Sequence, residues 1–420
     1  MGDKNIAWLY KELPKLVAAG IISEKTAQQI KDYYGPLEEK NKEQNLVLIF
    51  SILGAVLIGS GLILLLAHNW SELTRLSRTL IIFTTLIGAQ SLVAWVLLHK
   101  SYSLPWREGS TTALVFIVGA AIALIGQTYH LPSNLANFLL TWMLLILPLV
   151  YLADVTIPAL FYLGGISWWS FVVQGEFSLL FWLLVVLIIP YYIKQIKIDK
   201  TSRKVSLLSW TLSLSFLLGI YSTLELNLYS SFLWRLIYLS YFSSLFLLGQ
   251  KLNLQTKALE AIGLIGNFLI IYELGSFSET DHLLFKNLLT GDMLNYGITI
   301  LLLGLNIYLL WDSYIKDRDN LLLGLSAGIL LSSLLFSKIL FLNLLIYNFY
   351  LLAISLSLLL KGLEEKIMKL ANLGILMIAI QIIGRFFFLK LSFVWRGVVF
   401  VLVGISFLVS NIIMSQHLRE

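Results

Sequence analysis

Residues 46–67 read LVLIFSILGAVLIGSGLILLLA, a continuous apolar run without a charged residue. An α-helix rises about 1.5 Å per residue, so about 20 apolar residues cross the hydrocarbon core of a bilayer. Similar runs recur almost to the end of the chain and predict an all-α, polytopic transmembrane helical bundle. We count about fourteen membrane helices by this criterion, at 46–67, 77–98, 111–129, 135–152, 155–173, 177–193, 205–222, 231–250, 257–274, 293–312, 321–336, 339–361, 367–388 and 393–414.

The composition excludes several classes of protein. Of the 420 residues, 58% are hydrophobic and 13% are charged, whereas a soluble domain carries about 25% charged residues. The absence of cysteine excludes disulfides and thiolate chemistry. The formal charge of +6 reflects Lys and Arg in cytoplasmic loops, so we expect the lipid bilayer as a partner and no nucleic acid.

The chain divides into three parts: residues 1–45, 46–152 and 153–414. The first part is charged, and it predicts a short cytosolic helical hairpin. Its first helix covers Asn5–Ala19, with Gly20 at the C-cap, and Ser23 caps a second helix that runs to Tyr34. The expected shared core consists of Leu13, Leu16, Val17, Ile21, Ile22, Ala27 and Ile30. Because a hairpin this short is marginal alone, we expect it to pack against the membrane domain or to bind a cytosolic protein partner through residues 1–45.

Charge asymmetry predicts the orientation in the membrane. With the N-terminus placed in the cytoplasm, most of the 30 Lys and Arg residues fall on the cytoplasmic side of the fourteen-helix topology. The strongest marker is 194–204, which holds five of them. The positive-inside rule therefore favours an even number of helices with both termini in the cytoplasm.

Polar residues collect at the predicted extracytoplasmic ends of four helices. They are His68, Asn69, Trp70, Gln127, Tyr129, His130, Gln381, Arg385 and Arg396. One interpretation is a set of separate interfacial anchors, the usual role of Trp, Tyr, His and Arg near helix ends. The other is a shared pocket in which Arg385 and Arg396 meet an anion or a carboxylate.

No motif indicates a metal, a cofactor or a catalytic residue. His68, His130 and His282 fall on one predicted side, but in separate loops without ligand spacing, so we expect no metal site. The chain has no phosphate-binding loop and no nucleophile elbow. We also identify no mid-membrane substrate or ion site. Glu225 and Arg235 flank one predicted loop and could pair.

Three stretches resemble a family of prokaryotic predicted membrane proteins of unknown function (domain of unknown function 2157). They are the hairpin segment Leu16–Ser23, the segment from Gly59 to the Ala-x-Asn-Trp ending at Trp70, and Gly119–Leu131 followed by Trp142. The resemblance covers about the first 150 residues, the size of one domain. A weaker one involves Arg385–Phe387 and Arg396-Gly397. The resemblance to this family implies a multi-pass protein of the bacterial plasma membrane and supplies no catalytic residues.

Three functions remain open at this point. A transporter or flippase-like carrier ranks first, because of the helix count and the extracytoplasmic polar pocket. A membrane enzyme acting on a lipid-linked substrate at the outer face ranks second, with His or Glu as a base and Arg holding an anionic group. The third is a scaffold or sensor that binds a partner through the N-terminal hairpin.

Overall fold

The structure is a computed structural model that describes residues 3–34, 49–54, 56–58, 60–61, 72–173, 178–224, 231–254, 257–276, 293–316, 321–336, 339–388, 394, 397–398, 401 and 404–405. Among these residues every regular element is an α-helix, and no β-strand occurs. We number the complete helices α1 (Asp3–Ala18), α2 (Glu24–Tyr34), α3 (Arg75–His99), α4 (Leu104–Thr128), α5 (Leu135–Ala153), α6 (Ile157–Val173), α7 (Ser178–Ile198), α8 (Arg203–Thr223), α9 (Ser231–Leu252), α10 (Ala258–Leu274), α11 (Met293–Ile315), α12 (Leu321–Gly324), α13 (Ser326–Ser332), α14 (Leu340–Glu364) and α15 (Met368–Phe388).

Many of these helices suit a bilayer by length and composition. Within the described residues, eight are long and apolar enough to cross a membrane, namely α3, α4, α5, α7, α8, α9, α11 and α14. Shorter apolar helices lie at Ile49–Ile58, Ile157–Val173 and Met368–Gly384. The all-α polytopic architecture is therefore confirmed, whereas the count of fourteen membrane helices stays a prediction.

Several predicted helix ends agree with the structure because local capping sets them. The run predicted at 77–98 forms α3, whose N-cap Thr74 accepts a hydrogen bond from the Ser77 backbone N–H (3.2 Å). Ser202 caps α8 in the same way through the Val205 N–H (3.3 Å). A Ser or Thr side chain at this position satisfies one of the backbone donors that a helix start leaves free.

The start of α4 differs from its prediction. The hydropathy pattern places it at 111, but the helix begins at Leu104 and includes Arg107 and Glu108. Glu108 is almost fully buried, because its carboxylate accepts hydrogen bonds from the backbone N–H groups of Thr156 (2.7 Å) and Ile157 (3.1 Å). A buried charge is tolerated when it is hydrogen-bonded in this way.

The segment at 321–336 is not the single membrane helix that the sequence predicts. It forms α12 and α13, of 4 and 7 residues, which are separated at Leu325 and followed by turns at 333–336. At about 1.5 Å per residue neither helix spans a hydrocarbon core. This prediction of a continuous spanning helix was wrong.

The N-terminal hairpin largely follows its prediction. Gly20 adopts a positive φ of 70° after α1, and the Ser23 hydroxyl accepts from the Thr26 N–H (3.1 Å) at the start of α2. Leu13 and Ala27 are buried, but Ile21 is 69% exposed, so its assignment to the core was wrong. Ile21 lies in the connection between α1 and α2, where its backbone N–H donates to the Leu16 carbonyl at the end of α1 (3.0 Å).

The chain forms two compact units. Unit 1 comprises 1–134 and 144–158, and unit 2 comprises 135–143 and 159–420. The domain limits predicted from sequence, at 45/46 and 152/153, stay predictions. Unit 1 includes the contact between α3 and α4. Within unit 2, α9 is the central helix, because 89% of its apolar span is buried.

Glycines allow the helices around α9 to approach closely. A Cβ atom placed on Gly263 of α10 would lie 2.5 Å from the Phe242 carbonyl oxygen and 2.7 Å from the Phe246 nitrogen of α9. Since both atoms belong to the backbone of α9, the two helix backbones are in direct contact at this position. Small residues at a crossing drive helix association in lipid in this way.

Candidate functional site

The residues of the predicted extracytoplasmic pocket are only partly described. Gln127, Tyr129 and His130 lie in unit 1, and Gln381 lies in unit 2. Arg385 belongs to α15, with only its backbone described. His68, Asn69, Trp70 and Arg396 lie outside the described residues. The convergence of this set on one pocket therefore stays a prediction.

At the end of α4 the predicted residues face outward. Gln127 and His130 are exposed, and Tyr129 is 50% exposed. The Tyr129 hydroxyl is hydrogen-bonded to the Thr79 hydroxyl of α3 (2.9 Å), which ties the end of α4 to the start of α3. Neither Tyr129 nor His130 is enclosed, as expected for residues at a membrane–water interface.

Gln381 belongs to a polar network between three helices of unit 2. Its Nε2 donates to the Asn348 carbonyl of α14 (2.8 Å), and the Asn348 side-chain Nδ2 donates to the Gly275 carbonyl at the end of α10 (3.0 Å). Gln381 is buried, and its Oε1 has no hydrogen-bond partner in the part of the chain that the structure describes. The network links α15 to α14 through Gln381 and α14 to α10 through Asn348.

An ion pair lies where α9 begins and α10 ends. Arg235 Nε donates to Glu273 Oε2 (2.8 Å), and Arg235 Nη2 donates to the other carboxylate oxygen. The Arg235 side chain is 10% exposed and that of Glu273 is 50% exposed. The sequence suggested Glu225 as a partner for Arg235, but Glu225 lies outside the described residues. The observed pairing is bidentate, the strongest geometry for this pair of groups.

Two asparagines lie about halfway along helices that pack against α9. Asn267 of α10 is fully buried, donates from Nδ2 to the Gly263 carbonyl (2.8 Å) and accepts from the Ser243 hydroxyl (3.2 Å). Asn306 of α11 is 2% exposed, and its Nδ2 has no partner among the described residues. No mid-membrane substrate or ion site is predicted from sequence, where charged residues were considered at that depth but neither of these two amides was. An uncharged amide in the middle of an apolar run is the signal that could have found them.

The register of α11 against α9 is fixed at one end of both helices. Lys251, near the end of α9, lies 3.4 Å from an Asp312 carboxylate oxygen and 3.4 Å from the Tyr308 hydroxyl. Asp312 also pairs with Lys316 (2.6 Å). Since these residues lie near the C-terminal ends of α9 and α11, the two helices run parallel.

Side chains of α14 satisfy the backbone of the broken segment. The Tyr350 hydroxyl donates to the Leu322 carbonyl and is hydrogen-bonded to the Ser326 hydroxyl (3.1 Å). Asn343 Nδ2 donates to the carbonyls of Ser333 (3.3 Å) and Phe336 (3.2 Å). Irregular backbone at membrane depth is tolerated only where such partners or a water-filled cavity exist. Asn343 Oδ1 is buried without a partner within the described ranges.

A metal centre is not found among the described residues, where no group of three or more His, Cys, Asp or Glu could hold an ion. Of the three histidines considered from sequence, only His130 is described; His68 and His282 lie outside those residues. The predicted absence of a metal and a cofactor stays a prediction.

These observations indicate a membrane protein with several apolar helices. Unit 2 also buries the polar side chains of Ser243 on α9, Asn267 on α10 and Asn306 on α11, which we call the polar interior beside α9. Residues 14–159 match the model of a family described as predicted membrane protein (DUF2157). The resemblance drawn from the first 150 or so residues is therefore confirmed over this stretch. No curated protein and no solved structure matches the chain.

Proposed function

We propose that this protein is a transporter or flippase-like carrier, and that its cargo passes through the polar interior of unit 2 beside α9. The observation that carries this proposal is Asn306, an amide buried about halfway along an apolar helix with its donor group unpaired in the described part of the chain. A buried polar group without a hydrogen-bond partner is costly, so we take the Asn306 amide as a contact for the cargo.

The broken segment α12–α13 supports the same proposal. Carriers often place their binding sites at discontinuous helices. Gly324 of α12 lies at the level of Leu247 of α9 and Leu310 of α11, since an added Cβ would come within 3.0 Å of the Leu247 side chain and 2.4 Å of the Leu310 side chain. The break therefore adjoins α11 about one helical turn from Asn306.

The ion pair Arg235–Glu273 and the network of Gln381 suit one end of such a path. We place this end outside the cytoplasm, following the positive-inside orientation. Arg385 follows Gln381 by one helical turn on α15, so the two positions share a helix face. This end is where the proposed extracytoplasmic pocket would admit a solute or a lipid headgroup.

Two assays on the purified full-length protein test the proposal and separate its two kinds of cargo. The first follows transbilayer movement of fluorescent phosphatidylglycerol and phosphatidylethanolamine in proteoliposomes by dithionite quenching. The second measures thermal stabilisation in detergent by inorganic phosphate, amino acids and sugars, since a ligand that binds the folded state raises its unfolding temperature. We expect a response in one of the two assays.

Point variants test whether the response in these assays depends on Asn306. Asn306→Leu removes the mid-span amide at similar volume, and Gln90→Leu is the matched control, because Gln90 is an exposed amide on α3 of unit 1. We expect Asn306→Leu to reduce the response by about tenfold, the equivalent of one or two hydrogen bonds, and Gln90→Leu to retain it. A wild-type protein inactive in both assays, or equal responses from wild type, Asn306→Leu and Arg385→Ala, contradicts the proposal.

A further inference from the structure

Ser244 of α9 is a second buried polar residue whose side chain lacks a hydrogen bond. It is 4% exposed, and its hydroxyl has no partner among the described residues. Ser240, one turn earlier on the same face of α9, instead donates to the Leu236 carbonyl of its own helix (2.7 Å). A buried hydroxyl ordinarily finds a partner in this way. Ser244 therefore resembles Asn306, since each presents a polar group that the described residues leave unpaired.

Ser244 and Asn306 lie at the same level of two parallel helices. A Cβ atom added to Gly324 would lie 3.0 Å from the Leu247 side chain and 2.4 Å from the Leu310 side chain, so these leucines of α9 and α11 meet beside the break. Ser244 comes one turn before Leu247, and Asn306 comes one turn before Leu310. Because α9 and α11 run parallel, the two unpaired groups lie together, one turn from the break.

The helices around this pair of polar groups are uncharged over most of their length. Four stretches of α9 and of the segments packed against it contain no Lys, Arg, Asp or Glu, namely 236–250, 261–272, 293–311 and 321–336. The nearest charged residues along α9 are Arg235, which pairs with Glu273, and Lys251, which pairs with Asp312 (3.4 Å). A molecule at the level of Ser244 would therefore meet hydroxyls, amides and apolar side chains on these stretches, and no counter-ion.

From this arrangement we infer that the cargo of the proposed carrier is an uncharged solute with hydroxyl or carbonyl oxygens, bound between Ser244 and Asn306. The amide N–H and the hydroxyl both donate hydrogen bonds, and such oxygens accept them. A charged group at this level would lose its hydration without gaining a counter-ion, which is a far larger cost. The inference rests on the proposed carrier function, and it selects against phosphate, amino acids and phospholipid headgroups as cargo.

Solutes that share a ring and differ in charge test this inference. Thermal unfolding of the purified full-length protein in mild detergent compares glucose with glucosamine, which is cationic, and glucuronate, which is anionic. Glycerol, sorbitol and sucrose extend the uncharged set in size. We expect an uncharged compound to raise the unfolding temperature with a saturating dependence on concentration, as binding to the folded state requires. We expect no such effect from the charged sugars or from inorganic phosphate.

Two serines on one face of α9 provide the matched variants. Ser244→Ala removes the inferred contact, so we expect the apparent affinity for the stabilising compound to fall about tenfold, the effect of about one hydrogen bond. Ser240→Ala is the control, because the Ser240 hydroxyl is already bonded within its own helix, and we expect it to keep the wild-type affinity. Each variant removes one buried hydroxyl from α9, so a loss confined to Ser244→Ala does not arise from a general packing change.

The outcomes separate this inference from the carrier proposal on which it rests. If a charged solute stabilises the protein as strongly as any uncharged one, or if phospholipid crosses the bilayer and no uncharged solute stabilises it, then the protein still qualifies as a carrier and the uncharged cargo is rejected. Equal affinities in Ser244→Ala and Ser240→Ala also overturn the inference, because the solute then binds elsewhere. A protein without any response in these assays contradicts both proposals.

Discussion

Replacing Glu108 by alanine tests whether its buried carboxylate stabilises the start of α6. In the native structure its two carboxylate oxygens accept the N–H groups of Thr156 and Ile157 (2.7 and 3.1 Å), at the beginning of α6. The neighbouring Arg107 donates from Nη1 to the Ala153 carbonyl at the end of α5 (3.1 Å). The pair thus places a negative charge at a helix N-terminus and a positive charge at a helix C-terminus, as the helix dipoles favour.

The cost of Glu108→Ala follows from the groups that it leaves unpaired. A buried donor without a partner costs about 1–3 kcal/mol. Thr156 is buried and Ile157 is half-buried. In the variant the Ile157 N–H can therefore bond to solvent, and it loses less free energy than the Thr156 N–H. We expect a loss of about 3 kcal/mol in unfolding free energy. Glu108→Gln keeps an acceptor oxygen and loses the charge, so we expect about 1 kcal/mol.

Hydrogen exchange gives the most direct measurement, because it reports the peptide covering 153–160 separately from the rest of the chain. Thermal unfolding in mild detergent gives the global effect. Glu72→Ala is the control, since Glu72 is exposed and surface changes cost less than about 0.5 kcal/mol. If Glu108→Ala leaves exchange at 153–160 and the unfolding temperature as they are in Glu72→Ala, the capping argument is refuted.

Three further predictions concern packing, the ion pair and orientation. Gly263→Ala drives a Cβ to within 2.5 Å of the α9 backbone, so we expect it to destabilise unit 2 by about 2 kcal/mol in thermal unfolding, whereas Gly297→Ala, which meets no atom within 4 Å, is neutral or stabilising. A double-mutant cycle on Arg235→Leu and Glu273→Leu should yield a coupling of about 1 kcal/mol, modest because Glu273 is half exposed; additive losses would show that the pair contributes nothing. The chain has no cysteine, so Leu131→Cys and Lys200→Cys can each be labelled alone with an impermeant maleimide in spheroplasts, and labelling of Lys200→Cys rather than Leu131→Cys would reverse the proposed orientation.

Helix positions were predictable where the signals are local. The runs predicted at 77–98, 135–152 and 155–173 became Arg75–His99, Leu135–Ala153 and Ile157–Val173, because hydropathy and caps such as Thr74 act within a few residues. The start of α4 was not predictable from hydropathy. Arg107 and Glu108 look like loop residues until their partners at 153–157, distant in sequence, are known.

The broken segment α12–α13 shows a second limit of sequence reasoning. The run at 321–336 is apolar enough to predict one continuous helix, and nothing within it requires a break. The carbonyls that the break frees are satisfied by Tyr350 and Asn343 of α14, so the stabilising groups belong to another helix. The ion pair of the candidate site was unpredictable for the same reason. Arg235 could be recognised from sequence, but its partner Glu273 lies on another helix and could not.

The two mid-span asparagines give opposite predictions for stability, and the difference separates a structural role from a functional one. Asn267 is satisfied on both sides by Ser243 and Gly263, so Asn267→Leu leaves the Ser243 hydroxyl without this acceptor and should destabilise by about 1–2 kcal/mol. Asn306 has an unpaired donor among the described residues, so Asn306→Leu removes an unfavourable group and should raise the unfolding temperature.

A residue that lowers the stability of the fold and makes no structural hydrogen bond is expected to serve a function, because functional sites are often less stable than the rest of a protein. Thermal unfolding of Asn306→Leu and Asn267→Leu in the same detergent makes the comparison, with Gln90→Leu as the exposed amide control. If Asn306→Leu is destabilised as much as Asn267→Leu, then the Asn306 amide is a structural hydrogen-bonding group. The polar interior beside α9 would then be part of the helix packing, and the main support for a cargo path through unit 2 would be lost.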